Sequence, residues 1–421
     1  MAEIRRQAFD ILSENLGMRP QFINLVAGPR QVGKSTMVRQ VLRQEKYCDS
    51  FLSVSADPAS EVESAEIFVG LNSASGVSRD AKWLVGCWEE ARRLQRERKK
   101  NFILAIDEIQ KISNWANIVK GLWDSDRAAD LDLHVVILGS SPLLIQSGLT
   151  ESLAGRYELL RLSHWSFLEM REAFDVGLEE YCYFGGYPKA VELLRGRPDE
   201  YEKRWREYVL GSLIEPSVRR DILEINRIDK PALLEQLFFL CCELSSKIVS
   251  YTNLMGPLQD AGNTTTIAKY LDLLRSAGFI AGLAKHSGRA LTKRNSSPKI
   301  NVLNTALMSA VSDYNFAQAK ADRTFWGQLV ESSVGAHLCN SVDSNQMIRY
   351  WREGNEEVDF VVASRGGKLT AIEVKSGSKG SFRRGMFAFE KRFGRCKKLQ
   401  VGGDGIPLEE FLSYPASHWV E

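Results

Sequence analysis

Gly28-Pro29-Arg30-Gln31-Val32-Gly33-Lys34-Ser35 sets two glycines, a lysine and a hydroxyl at the G-x-x-x-x-G-K-[ST] spacing. That spacing suits a phosphate chain. Gly28 and Gly33 allow a tight path that aims backbone N–H groups inward. Lys34 should reach the β- and γ-phosphates of a triphosphate, and Ser35 should ligate Mg2+. Thr36, next in the chain, is grouped with the loop as a nucleotide contact. Further along, the apolar run Phe102-Ile103-Leu104-Ala105-Ile106 ends in Asp107-Glu108, the Walker B pattern. Two adjacent acids can divide the work: Asp107 holds the Mg2+ shell and Glu108 orients or deprotonates the attacking water.

A second constellation lies in the last quarter of the chain. Glu331 falls on a predicted helix, Asp359 in Glu357-Val358-Asp359-Phe360-Val361-Val362, and Glu373 with Lys375 in Ile372-Glu373-Val374-Lys375. Glu373 and Lys375 are two apart on a strand and so share a face. Arg365-Gly366-Gly367 closes a hairpin that brings Asp359 alongside. Three carboxylates, Glu331, Asp359 and Glu373, can then hold Mg2+ for phosphodiester hydrolysis, with Lys375 positioning water or stabilising charge on phosphorus. The ordered set resembles the PD-(D/E)-x-K nuclease core and matches it at all four positions. A degenerate structural or binding domain is the alternative.

These groups need elements to hold them. Phe22 to Val26 reads as a buried strand before the glycine loop, and Thr36 to Gln44 as a helix after it, whose positive end favours phosphate. Phe51 to Val54 is a second strand. A helix over 81–100 follows, with Trp83, Cys87, Trp88, Ala91 and Leu94 on one face and a solvated basic tail from Arg92. His134 to Leu138 is a further strand ending in Gly139-Ser140-Ser141, where Ser140 or Ser141 is either a γ-phosphate sensor or part of a turn. Arg156 closes Ser152-Leu153-Ala154-Gly155-Arg156 and either acts on a neighbouring subunit's nucleotide or is a surface residue.

The strings GPRQVGKST, AIDEIQ, ILGSS and SLAGR together resemble a bacterial and archaeal AAA-type ATPase family. Its members carry a C-terminal domain of the restriction-endonuclease-like superfamily. The resemblance implies ATP with Mg2+, sheet order 5-1-4-3-2, a sensor at Ser140/Ser141 and an arginine finger at Arg156. It also makes Tyr183-Phe184-Gly185-Gly186-Tyr187-Pro188 the start of a helical lid that continues through 199–225.

Between these regions, Pro231 opens a helix, Ser250 a second, and Asn263 caps a third that Gly278 ends. Strands over 279–284 and 299–303 complete a winged-helix pattern. The wing segment 285–299 carries Lys285, Arg289, Lys293, Arg294 and Lys299 and no acid, which fits phosphate contact. A packing module with a solvated loop is the alternative. From Lys375 to Lys398 the chain has nine Lys/Arg against one acid, Glu390, a net +8 that suits a polyanion. Phe382, Phe387, Phe389 and Phe393 are expected to form that segment's packing face.

The bulk composition is compatible with this reading. The chain has 421 residues, 44% hydrophobic and 26% charged, a globular composition large enough for two to three domains. Net charge is only +2, so any nucleic-acid surface must come from clustering. Seven scattered cysteines without a CxxC pair suggest reduced thiols and a cytoplasmic setting. No apolar run marks a signal peptide or a membrane span.

The expected architecture is α/β: an AAA-type P-loop ATPase core over 1–175, a helical lid over 176–230, a winged-helix module over 231–310 and a restriction-endonuclease-like α/β domain over 311–421. The expected activity is ATP-driven work on DNA by a homo-oligomeric ring without membrane contact, in which the C-terminal domain either cuts DNA or only grips it. The rivals are a branched-DNA remodelling motor with an inert nuclease fold, and a nucleotide-controlled switch acting through protein contacts.

Overall fold

Strands that read as continuous apolar runs are those covered on both faces, and the first half of the chain follows that rule. The computed structural model describes residues 4–47, 49–57, 78–98, 101–139, 152–194, 198–221, 228–259, 262–288, 296–377 and 384–420. The chain divides into two compact units, Arg5–Leu162 and Ser163–Glu421.

In the Arg5–Leu162 unit, strands β1 (Ile23–Ala27), β2 (Phe51–Ser55), β3 (Phe102–Asp107), β4 (Leu133–Gly139) and β5 (Tyr157–Arg161) form a sheet in the order β2-β3-β4-β1-β5. All pairings are parallel. This is the order that the sequence resemblance implies. Every residue of β1 and β4 is buried, because helices cover both faces. Phe102, Leu104 and Ile106 point to a core shared with helices Ala81–Arg98 and Trp115–Ala128. Ile103 and Ala105 point to the opposite core, shared with helices Ala8–Gly17 and Lys34–Leu42. Arg92 is not part of a solvated tail: it is buried, with Nε 2.7 Å from Asp126 Oδ1. Trp88 Nε1 donates to the other Asp126 oxygen, so one carboxylate joins the two helices.

The Ser163–Glu421 unit contains a mixed sheet. It is built from β6 (Ile280–Lys285), β7 (Lys299–Val302), β8 (Gln346–Glu353), β9 (Glu356–Ser364), β10 (Leu369–Val374) and β11 (Lys397–Val401), in the order β11-β10-β9-β8-β6-β7. Helices Pro231–Glu243, Tyr251–Met255 and Thr264–Ser276 precede the β6–β7 hairpin as expected. The Asn263 side chain accepts Thr266 N at 2.9 Å, the predicted cap. The hairpin is not the edge of a separate module, however. β6 pairs in parallel with β8 through Ala284↔Arg349 and Lys285↔Tyr350, which makes one sheet across the expected boundary at 310. The helices assigned to a lid also pack within this unit. Tyr183, Phe184, Trp205 and Phe316 form a ring cluster, and Arg206 donates to the carbonyls of Ala310 and Tyr314. After helix Pro198–Tyr208 the chain continues in π-helical turns, Val209–Ile214 and Ser217–Asp221.

Candidate functional sites

In open parallel sheets, ligands bind at the carboxyl ends of the strands. The loop after β1 lies at that edge. Gly33 caps helix Lys34–Leu42 at φ +89, and Gln31 is also left-handed at φ +61. Such turns point successive N–H groups to one side and build an anion cradle. Gly28 is required by close packing, since a Cβ there would stand 2.2 Å from the Leu162 carbonyl oxygen. Pro29 is buried, Val32 accepts a hydrogen bond from Arg6 at 2.8 Å, and Arg30 is half-buried. Lys34 Nζ donates to the Gly28 and Pro29 carbonyls at 3.0 and 2.7 Å, so its ammonium arches back over the loop. Ser35 and Thr36 are exposed in the first helical turn.

The end of β3 faces that turn. Ser35 Oγ donates to Asp107 Oδ2 at 2.6 Å, and Asp107 Oδ1 accepts Glu108 N at 2.9 Å. Ser35 and Asp107 are the hard oxygen pair that Mg2+ takes together with substrate phosphates, so these residues fit that ion. They would hold it, and it would offset charge on the phosphate oxygens. Glu108 sits at φ +51 at the start of a short turn, Ile109–Lys111, where Gln110 Nε2 donates to its carboxylate. A cleft of about 280 Å3 opens here, lined in part by Ser35, Arg39, Ser55, Asp57, Asp107 and Glu108. Asp57, held by Lys111 at 2.7 Å, belongs to no motif, and Gln110 closes the AIDEIQ string without a role that sequence alone assigns.

Ser140 and Ser141 lie outside the described residues, as do Arg289, Lys293 and Arg294 of the wing segment. Arg156 is described, and it forms a two-pronged pair with Asp124 of its own chain, at 2.7 and 3.0 Å. That pairing holds the Asp124 carboxyl below the usual carboxylate range. Reaching another subunit's nucleotide would require Arg156 to leave it.

The elements that carry the C-terminal constellation are present, and its side chains pair with one another. Glu331 lies on helix Arg323–Ser341, Asp359 on β9 and Glu373 on β10. Lys375 Nζ stands 2.6 Å from Glu373 Oε1, and Asp359 Oδ2 accepts Val374 N at 2.8 Å. An unexpected member completes the group. Lys299, counted from sequence with the solvated wing, has 0% of its surface exposed. Its Nζ is 2.6 Å from Glu331 Oε1, 3.1 Å from the Asp359 carbonyl oxygen, 3.7 Å from Asp359 Oδ1 and 3.9 Å from Glu357 Oε1. Burial pulls the Lys299 ammonium down, but Asp359 and Glu331 outweigh it and the net shift is upward. Burial pushes the Glu331 carboxyl up to about 7, against the pull of Lys299. Burial and the nearby Asp359 also raise Glu373. Among the described residues, no three His, Cys, Asp or Glu are arranged to hold a metal ion. Glu331, Asp359 and Glu373, the expected metal ligands, are met here by Lys299, by the Val374 N–H and by Lys375 respectively.

The basic segment after Lys375 is described in part; Lys379, Phe382 and Arg383 lie outside the described residues. Met386 and Phe389 are buried on helix Arg384–Phe393, but Phe387 is 51% exposed. It therefore does not belong to the packing face assigned to it.

Residues 21–171 match a family described as an AAA domain. Residues 176–318 and 326–408 match two families each described as a domain of unknown function, DUF8612 and DUF4143. An uncharacterized protein of Mycobacterium tuberculosis is 24% identical over 409 residues, spanning 96% of this chain and 82% of the relative. An uncharacterized protein of Methanocaldococcus jannaschii is 24% identical over 374 residues, or 84% and 75% of the two chains. Among solved structures, a Walker-type ATPase of Pyrococcus abyssi aligns at 16% identity and a TM-score of 0.48, over 73% of this chain and 95% of that one. The AAA-domain match and the geometry of the glycine loop support an AAA-type ATPase in the Arg5–Leu162 unit. No described helix is long and apolar enough to cross a membrane.

Proposed function

We propose that this chain binds and hydrolyses ATP at its glycine loop and uses that cycle to act on DNA. The observation that carries the reading is the 2.6 Å contact of Ser35 with Asp107, which joins the loop to the strand-end acid as a metal-holding pair. The cradle of Gln31, Gly33 and the helix N-terminus receives the phosphates. Lys34 turns from its loop carbonyls to the β- and γ-phosphates. Glu108, beside Asp107, orients the attacking water once Gln110 releases its carboxylate. Arg156, released from Asp124, completes a neighbouring subunit's site in a homo-oligomer.

The DNA half of the reading rests on charge and on one ring. Arg384, Lys391, Arg392, Arg395 and Lys397 are exposed on and just after helix Arg384–Phe393. Arg384, Phe387 and Lys391 recur at helical spacing and share a face. An exposed aromatic among cations is the arrangement that stacks a base while phosphates are held nearby. The test is ATP turnover and DNA binding by the full chain across a salt series. DNA affinity should fall steeply with salt, and DNA should raise turnover. Turnover that ignores DNA, with no salt-dependent binding, would leave the nucleotide-controlled protein switch as the better account.

A further inference from the structure

The Lys299 ammonium is enclosed completely, and an enclosed charge persists only where partners replace its water. Its partners come from separate elements: Glu331 from helix Arg323–Ser341, and the Asp359 carbonyl and the Glu357 and Asp359 carboxylates from β9. The ring of Phe360 lies 4.8 Å from Nζ. Lys299 itself opens β7, which β8 and β6 separate from β9 in the sheet. A single ammonium thus ties the helix, the β6–β7 hairpin and the β8–β9 hairpin together.

A Mg2+ shared by Glu331 and Asp359 would need oxygens at about 2.0–2.1 Å in near-octahedral geometry. The space beside those two carboxylates is taken by Nζ. Glu373 is in turn paired with Lys375 at 2.6 Å. We propose that Lys299 is the resident cation of this cluster, standing where a nuclease of this residue pattern would seat its divalent metal. The C-terminal sheet then holds a metal-free ion cluster and does not cleave. The inference stands independently of the ATPase reading, since it concerns residues of the Ser163–Glu421 unit alone.

The test is Mn2+ titration of the full chain without nucleotide, followed by electron paramagnetic resonance. The wild-type chain should take up no Mn2+ in a manner that Asp359→Asn abolishes. Lys299→Ala should gain one saturable Mn2+ site, lost again when Asp359→Asn is added. A wild-type Mn2+ site that Asp359→Asn removes would overturn the proposal. So would a folded Lys299→Ala chain that gains no site, or metal-dependent DNA nicking that Asp359→Asn removes. If Lys299→Ala does not fold, Lys299→Gly with Glu357→Gln lightens the unpaired charge and repeats the gain-of-site measurement, and the wild-type arm still decides against the proposal if its Asp359-dependent site appears.

Discussion

The two polar sites use nearly the same side chains and reach opposite states. Each has a lysine, acids at a strand and a nearby helix. In the Arg5–Leu162 unit Lys34 lies against backbone carbonyls of its own loop, and Asp107 is met by the hydroxyl of Ser35 and a backbone N–H. In the Ser163–Glu421 unit Lys299 and Lys375 lie directly on Glu331 and Glu373. The first site has a Lys111–Asp57 pair at 2.7 Å at its margin and opens onto a cleft of about 280 Å3. The second encloses one ammonium, Lys299, beside the carboxylates of Glu331, Asp359 and Glu357. If Lys299 is the resident cation proposed above, residue type alone does not make a metal site; what matters is whether the chain has already supplied the cation.

The sharpest way to break this contrast is at the nucleotide site. Lys34→Ala should abolish tight ATP binding, and Glu108→Gln should bind ATP but turn over about 10²–10⁴-fold more slowly, the usual contribution of a positioned base. Equilibrium nucleotide binding and steady-state phosphate release separate the two effects, and normal turnover in Glu108→Gln would remove the base assignment. At the second site the effect should fall on stability. Lys299→Met leaves buried carboxylates without their cation and should cost about 3–5 kcal/mol, read by urea unfolding, with ATP affinity unchanged.

Acid should sharpen the comparison further. His337 is buried, donates Nε2 to Tyr414 O at 2.9 Å, and is held down to about 4 by burial. The unfolded chain binds that proton near pH 6.5, so the stability from neutral His337 is present above that pH and is lost as pH falls towards 4. The loss is up to roughly 3 kcal/mol. Glu331, raised to about 7, works in the opposite sense: its contribution is present below about 4.5 and is lost as pH rises through 7. His337→Gln should flatten the acid limb between pH 6.5 and 4, whereas Glu331→Gln should steepen it. The smallest effect is expected at Phe387. Phe387→Ala should weaken single-stranded DNA binding by about 1–3 kcal/mol per stacked base while leaving the salt slope unchanged, measured by fluorescence anisotropy.

Sequence made the first site readable because its chemistry is local. The glycines, Lys34 and Ser35 are contiguous, and β1 and β3 are apolar runs whose ends carry the functional residues. The Asn263 cap and the helix that starts at Pro231 were readable for the same reason. At the second site the helix and strands that carry Glu331, Asp359 and Glu373 are legible in sequence, but the burial of Lys299 is not. Lys299 lies in a basic stretch whose neighbours suggest solvent, and the pairing of β6 with β8 joins its hairpin to the sheet that carries Asp359. That parallel contact involves two residue pairs and leaves no periodic trace in sequence. Arg92 and Phe387 show the same limit in opposite directions: a charge buried by Asp126 and a ring left outside. Helical spacing gives the faces of a helix, but not which of them the tertiary structure covers.

Counting Mn2+ on the full chain with a non-hydrolysable ATP analogue tests the contrast most directly. One Mn2+ per chain is expected, dependent on nucleotide, lost in Asp107→Asn and unaffected by Asp359→Asn. A Mn2+ that binds without nucleotide and disappears in Asp359→Asn would contradict it.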